Sequence, residues 1–327
     1  MNKKQKKFKK LIISVVLLFW AVIAIYGFKQ TDAGAASSDL QTVTVGYQKG
    51  DPFDIAKQRG EFAKKMKAKG YKVVWKEFQD GSSLMQALKA GSINYARTGD
   101  TPPVSALSTG TKLTYVAAGS SKAKGSGILV KNSSSISSIK DLKGKKVAYT
   151  KGTSSQYMLL AALKKAGLSA SDITWVNMDQ SSASVAFSKG KVDAWATWDP
   201  YTSQAEITQN AKLLTNGVGI TNNRDYVLAM QSYAKENTEV SKYLIKYLEE
   251  DMQWANNNHS ELITMMSKSL KVSKAVVKKM VDRRTYGISA MNSTYAKEEQ
   301  QIADLFYSEG LIENKVTISD SGDYKNE

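Results

Sequence analysis

The sequence predicts an α/β fold built from two similar lobes. After residue 41, short runs rich in β-branched and aromatic residues alternate with segments of helical periodicity, which is the pattern of an α/β protein. Parts of the sequence also repeat at an offset of about 100 residues, which indicates two related halves. With 327 residues, of which 42% are hydrophobic, the chain is long enough to form more than one core.

Strand and helix signals follow one another along the chain. The predicted strands are Thr42–Tyr47, Lys72–Phe78, Leu113–Ala118, Lys146–Tyr149 and Ile173–Asn177. Asp51 and Pro52 predict a helix that runs toward Lys69, since aspartate caps helices and proline is tolerated in the first turn. Later, apolar residues recur on one helical face at Val240, Tyr243, Leu244, Tyr247 and Leu248, then at Ile263, Met266 and Leu270.

The internal repeat defines the predicted lobes. Its matching segments are Val45–Gly50 with Val147–Gly152, and Gly91–Pro102 with Gly190–Pro200. We therefore predict lobe I over residues 42–129 and 226–327 and lobe II over residues 130–225, with the chain returning through Asp225–Gln231. Two chain crossings form a hinge, and two lobes on a hinge enclose a cleft.

The N-terminus carries an export signal. Six lysines lie within the first ten residues, and an uncharged stretch from Leu11 to Phe28 follows. Residues 1–35 are either a signal peptide, cleaved after the small residues Ala33-Gly34-Ala35, or a retained membrane anchor. In both cases we expect an extracytoplasmic protein at the outer face of the cytoplasmic membrane, anchored or secreted.

Composition narrows the possible functions. The chain has no cysteine, which excludes disulfides, thiolate metal sites, a cysteine nucleophile and a lipid-anchored N-terminal cysteine. Residues 1–35 hold seven lysines and one aspartate, so their removal lowers the net charge from +16 to +10. The lysines are scattered without an aromatic-interleaved patch, so we expect no nucleic-acid partner. Most of these lysines are expected to lie on a solvated surface, and the others favour contact with anionic membrane or wall polymer.

The sequence gives little support for catalysis. His259 is the only histidine and lies in a polar stretch typical of an exposed helix end. It has no partner pattern for a metal site or a catalytic triad, and no nucleophile elbow or phosphate-loop motif occurs. We expect a protein that is not an enzyme and needs no cofactor or metal.

Two pairs of loops follow predicted strands and are candidates for ligand contact. Thr153 or Ser154 can cap a helix while backbone N–H groups face the cleft, which suits an oxyanion, although an ordinary cap is the alternative. Gln48 lies in the equivalent loop of the first half. In Thr98–Pro103, Asp100 can cap and Gly99 allows close approach, although a plain βα turn is the alternative.

Aromatic and basic residues near the second pair of loops complete the candidate site. One of Trp195 and Trp198 is expected in the core and the other as an apolar wall beside Asp199. Arg284 is expected to contact an anion bidentately, and at least one of Arg283 and Arg284 is expected to be solvated.

Together these motifs resemble the aliphatic sulfonate, taurine and nitrate family of ABC transporter substrate-binding proteins, most closely the sulfonate branch. The resembling segments are Val45–Gly50, Ser92–Pro103, Lys151–Ser155, Val192–Tyr201 and Arg284–Gly287. The resemblance implies a type II periplasmic-binding-protein-like fold, an alkanesulfonate in the interlobe cleft, and ABC permease subunits as partners in sulfur metabolism. It implies ligand contacts at Gln48, Thr98, Gly99, Asp100, Thr153, Ser154, Trp198, Asp199 and Arg284.

The chain departs from the family pattern at Asp51-Pro52-Phe53, which places a carboxylate and a phenyl ring beside the first loop. The exact ligand is therefore open, with taurine, nitrate or another small anion as alternatives. A same-fold enzyme of pyrimidine biosynthesis and a wall-binding protein are the alternatives from other classes.

Overall fold

The computed structural model describes residues 40–318. The predicted signal or anchor, residues 1–35, lies outside this range. Within residues 40–318, no helix combines the length and the apolar character that crossing a membrane requires.

The described residues form two mixed sheets with helices on their faces. The strands are β1 (Gln41–Tyr47), β2 (Tyr71–Glu77), β3 (Tyr95–Thr98), β4 (Leu113–Gly119), β5 (Ser126–Lys131), β6 (Lys146–Tyr149), β7 (Thr174–Asn177), β8 (Ala194–Trp198), β9 (Ala211–Asn216), β10 (Tyr226–Met230) and β11 (Ile288–Ala290). The first sheet has the order β2-β1-β3-β10-β4-β11, and the second has the order β7-β6-β8-β5-β9. Each of the five predicted strands is confirmed to within one residue at either end.

The helices cover these sheets and supply most of the core contacts. They are α1 (Pro52–Arg59), α2 (Glu61–Ala68), α3 (Gly81–Lys89), α4 (Thr101–Ser108), α5 (Ser154–Lys165), α6 (Gln180–Ser188), α7 (Tyr201–Thr208), α8 (Gln231–Glu236), α9 (Thr238–Asn257), α10 (His259–Leu270), α11 (Lys274–Asp282) and α12 (Ser293–Ser308). The predicted apolar face lies on α9, where Leu244 and Leu248 are fully buried against the first sheet. Each such leucine contributes roughly 2 kcal/mol by leaving water.

The internal repeat corresponds to equivalent strands in the two sheets. β1 pairs in parallel with β3 in the first sheet, with Val45 opposite Tyr95, and β6 pairs in parallel with β8 in the second, with Val147 opposite Ala194. In each sheet an antiparallel strand lies next to this parallel pair. β10 is antiparallel to β3 in the first sheet, and β5 is antiparallel to β8 in the second. The prediction of two similar α/β lobes is confirmed.

The chain passes between the sheets twice, through residues 120–125 and 217–225. The predicted first boundary, between residues 129 and 130, falls within β5, because Ser126 already pairs with Trp198 in the second sheet. The predicted second boundary coincides with the first residue of β10, which returns the chain to the first sheet. Each crossing joins the end of a strand in one lobe to the start of a strand in the other.

The single helix predicted from Asp51 toward Lys69 is wrong, because the segment forms two helices that meet at Gly60. Asp51 caps α1 as predicted, accepting the N–H of Asp54 at 2.8 Å. Gly60 then takes a left-handed conformation with φ of 78°, which glycine adopts without a steric penalty, and ends α1. The turn lets Phe53 and Phe62 pack together, with ring centroids 6.0 Å apart.

Candidate functional site

The candidate residues lie where β1, β3, β6 and β8 end, at the edges where the two lobes face one another. Gly99 follows β3 in lobe I, and Ser154 begins α5 in lobe II. A Cβ atom on Gly99 would lie 3.9 Å from Oγ of Ser154 and 3.6 Å from Oδ1 of Asn223. These are ordinary van der Waals distances, so Gly99 lies between the facing lobes, and a methyl group would fit at this position.

The loop before α5 is held by its own hydrogen bonds. Thr153 is the N-cap and accepts the N–H of Ser155 at 3.3 Å, so it is the cap among the two predicted alternatives. The N–H of Gly152 donates to Oε1 of Gln156 at 2.7 Å, and the N–H of Thr150 donates to Oγ of Ser155 at 3.0 Å. These internal bonds use several of the amides predicted to face a ligand, and the hydroxyl of Ser154 takes part in none of them.

A cluster of charges that sequence reasoning did not identify lies at the crossings. Asp225 is fully buried, and three cations contact its carboxylate. Lys122 Nζ lies 2.5 Å from Oδ1, Arg284 Nη2 lies 3.4 Å from Oδ2, and Arg97 Nη2 forms an ion pair with Oδ1. The signal in the sequence was Arg97 itself, a charged residue inside the otherwise apolar or neutral strand β3.

The loop after β1 supports Arg97. Gln48 accepts a hydrogen bond from Arg97 Nη1 at 3.2 Å and donates from Nε2 to the carbonyl oxygen of Gln79 at 3.1 Å. Asp51 Oδ2 lies 3.6 Å from Arg97 Nε. Gln48 and Asp51 therefore fix the position of Arg97, and the carboxylate of Asp51 partly neutralises its positive charge.

Burial shifts the pKa values of the charged groups in this cluster. Burial lowers the pKa of Arg97 to about 10, and it lowers the pKa of Lys122 well below its usual range, with the charges of Arg97 and Arg284 adding to the effect on Lys122. Burial raises the pKa of Asp51 to about 6, against the opposing influence of Arg97. Three cations form ion pairs with two carboxylates, Asp225 and Asp51, and the charge of Asp100 also acts on Arg97 and Lys122.

Arg284 lies within this cluster and not at the surface. Its side chain is 10% exposed, its guanidinium carbon lies 4.5 Å from the centre of the Tyr286 ring, and Nε has no hydrogen-bond partner in residues 40–318. Arg283 is 13% exposed and pairs with Glu206 at 2.6 Å. The expectation that at least one of these arginines is solvated is therefore wrong, because both enter the interface between the lobes.

Asp199 and Arg283 meet across the lobes. Asp199 accepts from the N–H and the hydroxyl of Ser203 at 2.9 and 2.6 Å, which holds it at the start of α7. Its Oδ2 lies 3.7 Å from Arg283 Nε, and Lys279 Nζ lies 3.2 Å from Glu206 Oε1. Ion pairs from α11 and the segment after it thus join lobe I to α7 of lobe II.

The two tryptophans differ in burial. Trp195 is fully buried and donates from Nε1 to Oε1 of Gln180 at 3.0 Å. Trp198 is partly buried and lines a cavity. Thr98, by contrast, is fully buried within lobe I and lines neither of the cavities described below. Its hydroxyl packs against Gly81, where a Cβ atom would lie only 2.2 Å from the hydroxyl oxygen.

Two cavities adjoin the cleft. The smaller has a volume of about 30 Å³ and is lined by Lys122, Gly125, Ser126, Trp198, Asp199, Asn223, Arg283 and Arg284. The larger has a volume of about 240 Å³, and its polar lining includes Asp100, Thr221, Asn223, Arg224, Glu298 and Glu299. Asn223 lines both, so the cavities are neighbours separated by the second crossing. The smaller one has room for only about two water molecules.

Comparison with known proteins identifies the family. A family model described as NMT1/THI5 like matches residues 52–262. This chain belongs to the NMT1/THI5-like family. An aliphatic sulfonates-binding protein of Escherichia coli (strain K12) is 35% identical over 88% of this chain and 90% of its own length.

Solved structures of the NMT1/THI5-like family share the fold. The periplasmic aliphatic sulphonate binding protein SsuA from Escherichia coli superposes with a TM-score of 0.81 at 35% identity, over 85% of this chain and 96% of that one. The alkanesulfonate-binding protein SsuA from Xanthomonas axonopodis pv. citri, bound to MOPS, gives a TM-score of 0.79 at 32% identity, over 85% and 96%. The predicted type II periplasmic-binding-protein-like fold and the predicted family are confirmed.

Proposed function

We propose that this protein is the extracytoplasmic binding protein of an ABC importer and that it holds an aliphatic sulfonate between its lobes. The observation that carries this function is the group of three cations around buried Asp225, of which Lys122 and Arg284 also line the smaller cavity. Buried cations that face a cavity favour a ligand of opposite charge. The aliphatic sulfonate-binding names of its relatives agree with this function.

A sulfonate suits the donors present. Its charge is permanent at physiological pH, so the protein needs to supply cations and neutral donors but no general base. Lys122 and Arg284 line the smaller cavity, and Ser154 lies beside Gly99 on the facing lobe. In this proposal Lys122, Arg284 and Ser154 at the start of α5 hold the sulfonate, Thr153 caps α5, and Gln48 and Asp51 position Arg97.

The remaining predicted residues have roles at the edges of the site. Trp198 faces the organic tail, Gly99 lies between the facing lobes, and Asp199 joins them through Arg283. Thr98 acts through packing, and Asp100 faces the larger cavity. Because the smaller cavity is too small for an alkanesulfonate, the lobes must separate to admit the ligand and close on it.

Calorimetric titration tests this function directly. Short alkanesulfonates are expected to bind, with nitrate, sulfate and phosphate weaker, and binding is expected to survive 0.5 M salt because the charges are buried. If high salt abolished the binding of every anion tested, the result would instead favour a surface interaction with anionic polymer. Equal affinity for phosphate and sulfonate would contradict the proposal.

We further propose that the N-terminal segment keeps the protein at the membrane. The support is the uncharged stretch from Leu11 to Phe28 and the absence of a cysteine that could carry a lipid. Fractionation of producing cells and N-terminal sequencing test this. A soluble product that begins at Ala36 would overturn it.

A further inference from the structure

Exposed lysines gather at the end of lobe I that lies opposite the cleft. Strands β1, β2 and β3 all start at this end: β1 and β3 are parallel, and the N–H of Phe78 after β2 donates to the carbonyl oxygen of Tyr47 at the end of β1. The candidate site lies where these strands end, so their starts form the far face of the lobe. The lysine face consists of Lys67, Lys69, Lys72, Lys89, Lys112, Lys235, Lys242 and Lys246.

Contacts across the first sheet bring these lysines to one end of the lobe. The N–H of Gln231, which follows β10, donates to the carbonyl oxygen of Lys112, which precedes β4, at 3.0 Å. At the opposite edge, Lys69 Nζ lies 5.1 Å from the centre of the Tyr243 ring, and that ring lies 6.4 Å from the ring of Tyr71 at the start of β2. Four strand spacings of about 4.8 Å separate β2 from β4, so the lysine face extends over roughly 20 Å.

The charge of the lysine face is mostly uncompensated. Within residues 40–318, six of its ammonium groups form neither a hydrogen bond nor an ion pair, namely those of Lys67, Lys72, Lys89, Lys112, Lys235 and Lys246. Glu236 and Glu239 lie among them, and Glu239 already pairs with Lys242 at 3.4 Å. The nearby segment after α12 adds one exposed charge of each sign, Glu313 and Lys315. Positive charge therefore predominates over the whole face.

This arrangement suits an extended anionic surface better than a small anion. The ammonium groups are exposed and spread out, and none of these lysines lines either cavity. The lipid phosphates of a bilayer present many negative charges at once, and each lysine that comes within a Debye length, about 8 Å, adds to the attraction. The lysine face therefore fits the surface of an anionic membrane.

The position of β1 favours a membrane over other anionic polymers. β1 starts at the lysine face, and the uncharged stretch from Leu11 to Phe28, which lies outside the described residues, precedes it in the chain. Only residues 29–40 separate that stretch from β1. A short tether raises the effective concentration of the attached surface to about the millimolar range, so weak attraction to the same membrane is sufficient for contact.

We propose that the lysine face rests on the anionic lipids of the membrane that retains the chain, with the cleft on the opposite side of lobe I. This inference rests on the proposed retention by the N-terminal segment and does not depend on the identity of the ligand.

Lobe II provides a matched comparison. Lys146 starts β6, Lys191 precedes β8, and Lys212 lies in β9, all at the end of lobe II that is opposite the cleft. Together with Lys189 they are exposed, and their ammonium groups form no hydrogen bond or ion pair in the described part of the chain. If positive charge alone decided the contact, this end would bind the membrane equally. Because β1 starts in lobe I, we expect only the lysine face to do so.

Fluorescence quenching from labelled lipid headgroups measures which end contacts the bilayer. The chain has no cysteine, so one fluorophore can be placed through Ala90→Cys at the lysine face or through Ser188→Cys at the end of lobe II, both at exposed positions. The full chain is reconstituted in vesicles of phosphatidylcholine, alone or with about one-third phosphatidylglycerol. Quenching at position 90 is expected to be at least about threefold stronger in the anionic vesicles and to lose this increase in about 0.5 M salt. Position 188 should show no increase.

Removal of charge identifies the residues responsible. A protein with four lysines of the lysine face replaced should lose the increase at position 90, whereas the matched protein with four lysines of lobe II replaced should keep it. The first set is Lys67→Gln, Lys72→Gln, Lys89→Gln and Lys112→Gln, and the second is Lys146→Gln, Lys189→Gln, Lys191→Gln and Lys212→Gln. Alkanesulfonate affinity, measured by calorimetry, should be the same in both proteins, because none of these lysines lines a cavity.

The outcomes separate this inference from the proposals on which it rests. Equal quenching at the two positions, an increase at position 90 that needs no anionic lipid, or an increase that survives the first set of substitutions overturns the inference. Sedimentation with phosphatidylcholine vesicles tests the N-terminal anchor separately, because these vesicles carry no net charge. A chain that sediments with neither kind of vesicle overturns both the anchor and the inference. Failure to bind any sulfonate contradicts only the proposed ligand.

Discussion

Oδ2 of Asp225 lies 3.4 Å from Nη2 of Arg284, so the arginine expected to neutralise the ligand is already paired inside the protein. Asp225 also contacts Lys122 and Arg97. One carboxylate thus holds three cations in fixed positions, which lowers the entropy that a ligand would otherwise lose in ordering them.

Arg284→Ala is expected to weaken alkanesulfonate binding at least tenfold. A hydrogen bond to a charged group contributes about 1.5–3 kcal/mol, and about 1.4 kcal/mol corresponds to a factor of ten in Kd. Calorimetry measures the change, with Lys278→Ala as the control because that lysine is exposed and pairs only with Asp282. Unchanged binding by the Arg284→Ala protein would contradict the proposed site.

Trp198→Ala is expected to weaken long-chain alkanesulfonates more than short ones. The indole contributes apolar contact area, and each buried methylene contributes about 0.8 kcal/mol, so the loss should grow with chain length. Titration of ethane-, butane- and hexanesulfonate measures this trend. Trp175→Ala serves as the control, since Trp175 lies in the same lobe and lines neither cavity. A loss that is equal for all chain lengths would place Trp198 away from the tail.

Lys122 is expected to make sulfonate binding depend on pH. Burial and the charges of Arg97 and Arg284 lower the pKa of Lys122 in the free protein, while Asp100 and Asp51 act in the opposite direction. A bound anion favours the charged amine and raises this pKa, so binding takes up a proton. Affinity should therefore fall as pH rises between the pKa of the free and of the bound protein.

Calorimetry in buffers of different ionisation enthalpy measures this proton uptake. In the Lys122→Gln protein the uptake and the loss of affinity with rising pH should both disappear. Proton release on binding, or a pH dependence that survives Lys122→Gln, would show that another group titrates.

Glu206→Gln is expected to favour separation of the lobes. Glu206 on α7 contacts both Lys279 and Arg283 from the other lobe, at 3.2 and 2.6 Å, and its side chain is 14% exposed. Loss of these partly buried pairs should weaken every ligand by the same factor, on the order of two- to tenfold. Small-angle scattering should show a radius of gyration that decreases with ligand, and a larger one for the unliganded Glu206→Gln protein.

A control for Glu206→Gln is a glutamate that does not contact the other lobe. Glu239→Gln removes an exposed carboxylate that pairs only within its own helix, with Lys242. This substitution should leave the ligand affinity and the radius of gyration unchanged. A radius of gyration that does not change with saturating ligand would show that the lobes do not close.

Local sequence was sufficient for five of the eleven strands of residues 40–318 and for the recognition of two similar halves. Strands β1 and β6 were predicted because runs of β-branched residues end in a glycine-containing loop, and this signal depends only on neighbours in the chain. The turn at Gly60 was missed, although a glycine inside a predicted helix costs about 1 kcal/mol relative to alanine and was itself a warning. The left-handed turn there brings Phe53 into contact with Phe62, which is far from it in an unbroken helix.

The sequence by itself determined the fold class, the family motifs and the loops that face the cleft, because these depend on short-range patterns. Only the tertiary structure decided which charges meet. Arg97, Lys122, Asp225 and Arg284 are separated by 25 to 187 residues in the chain, and the three cations meet Asp225 only after both crossings have formed. The same holds for Asp100 and Glu299, which line one cavity from α4 and α12. A charge in a single sequence gives no sign of its distant partner, since that partner is set by sheet topology and lobe packing.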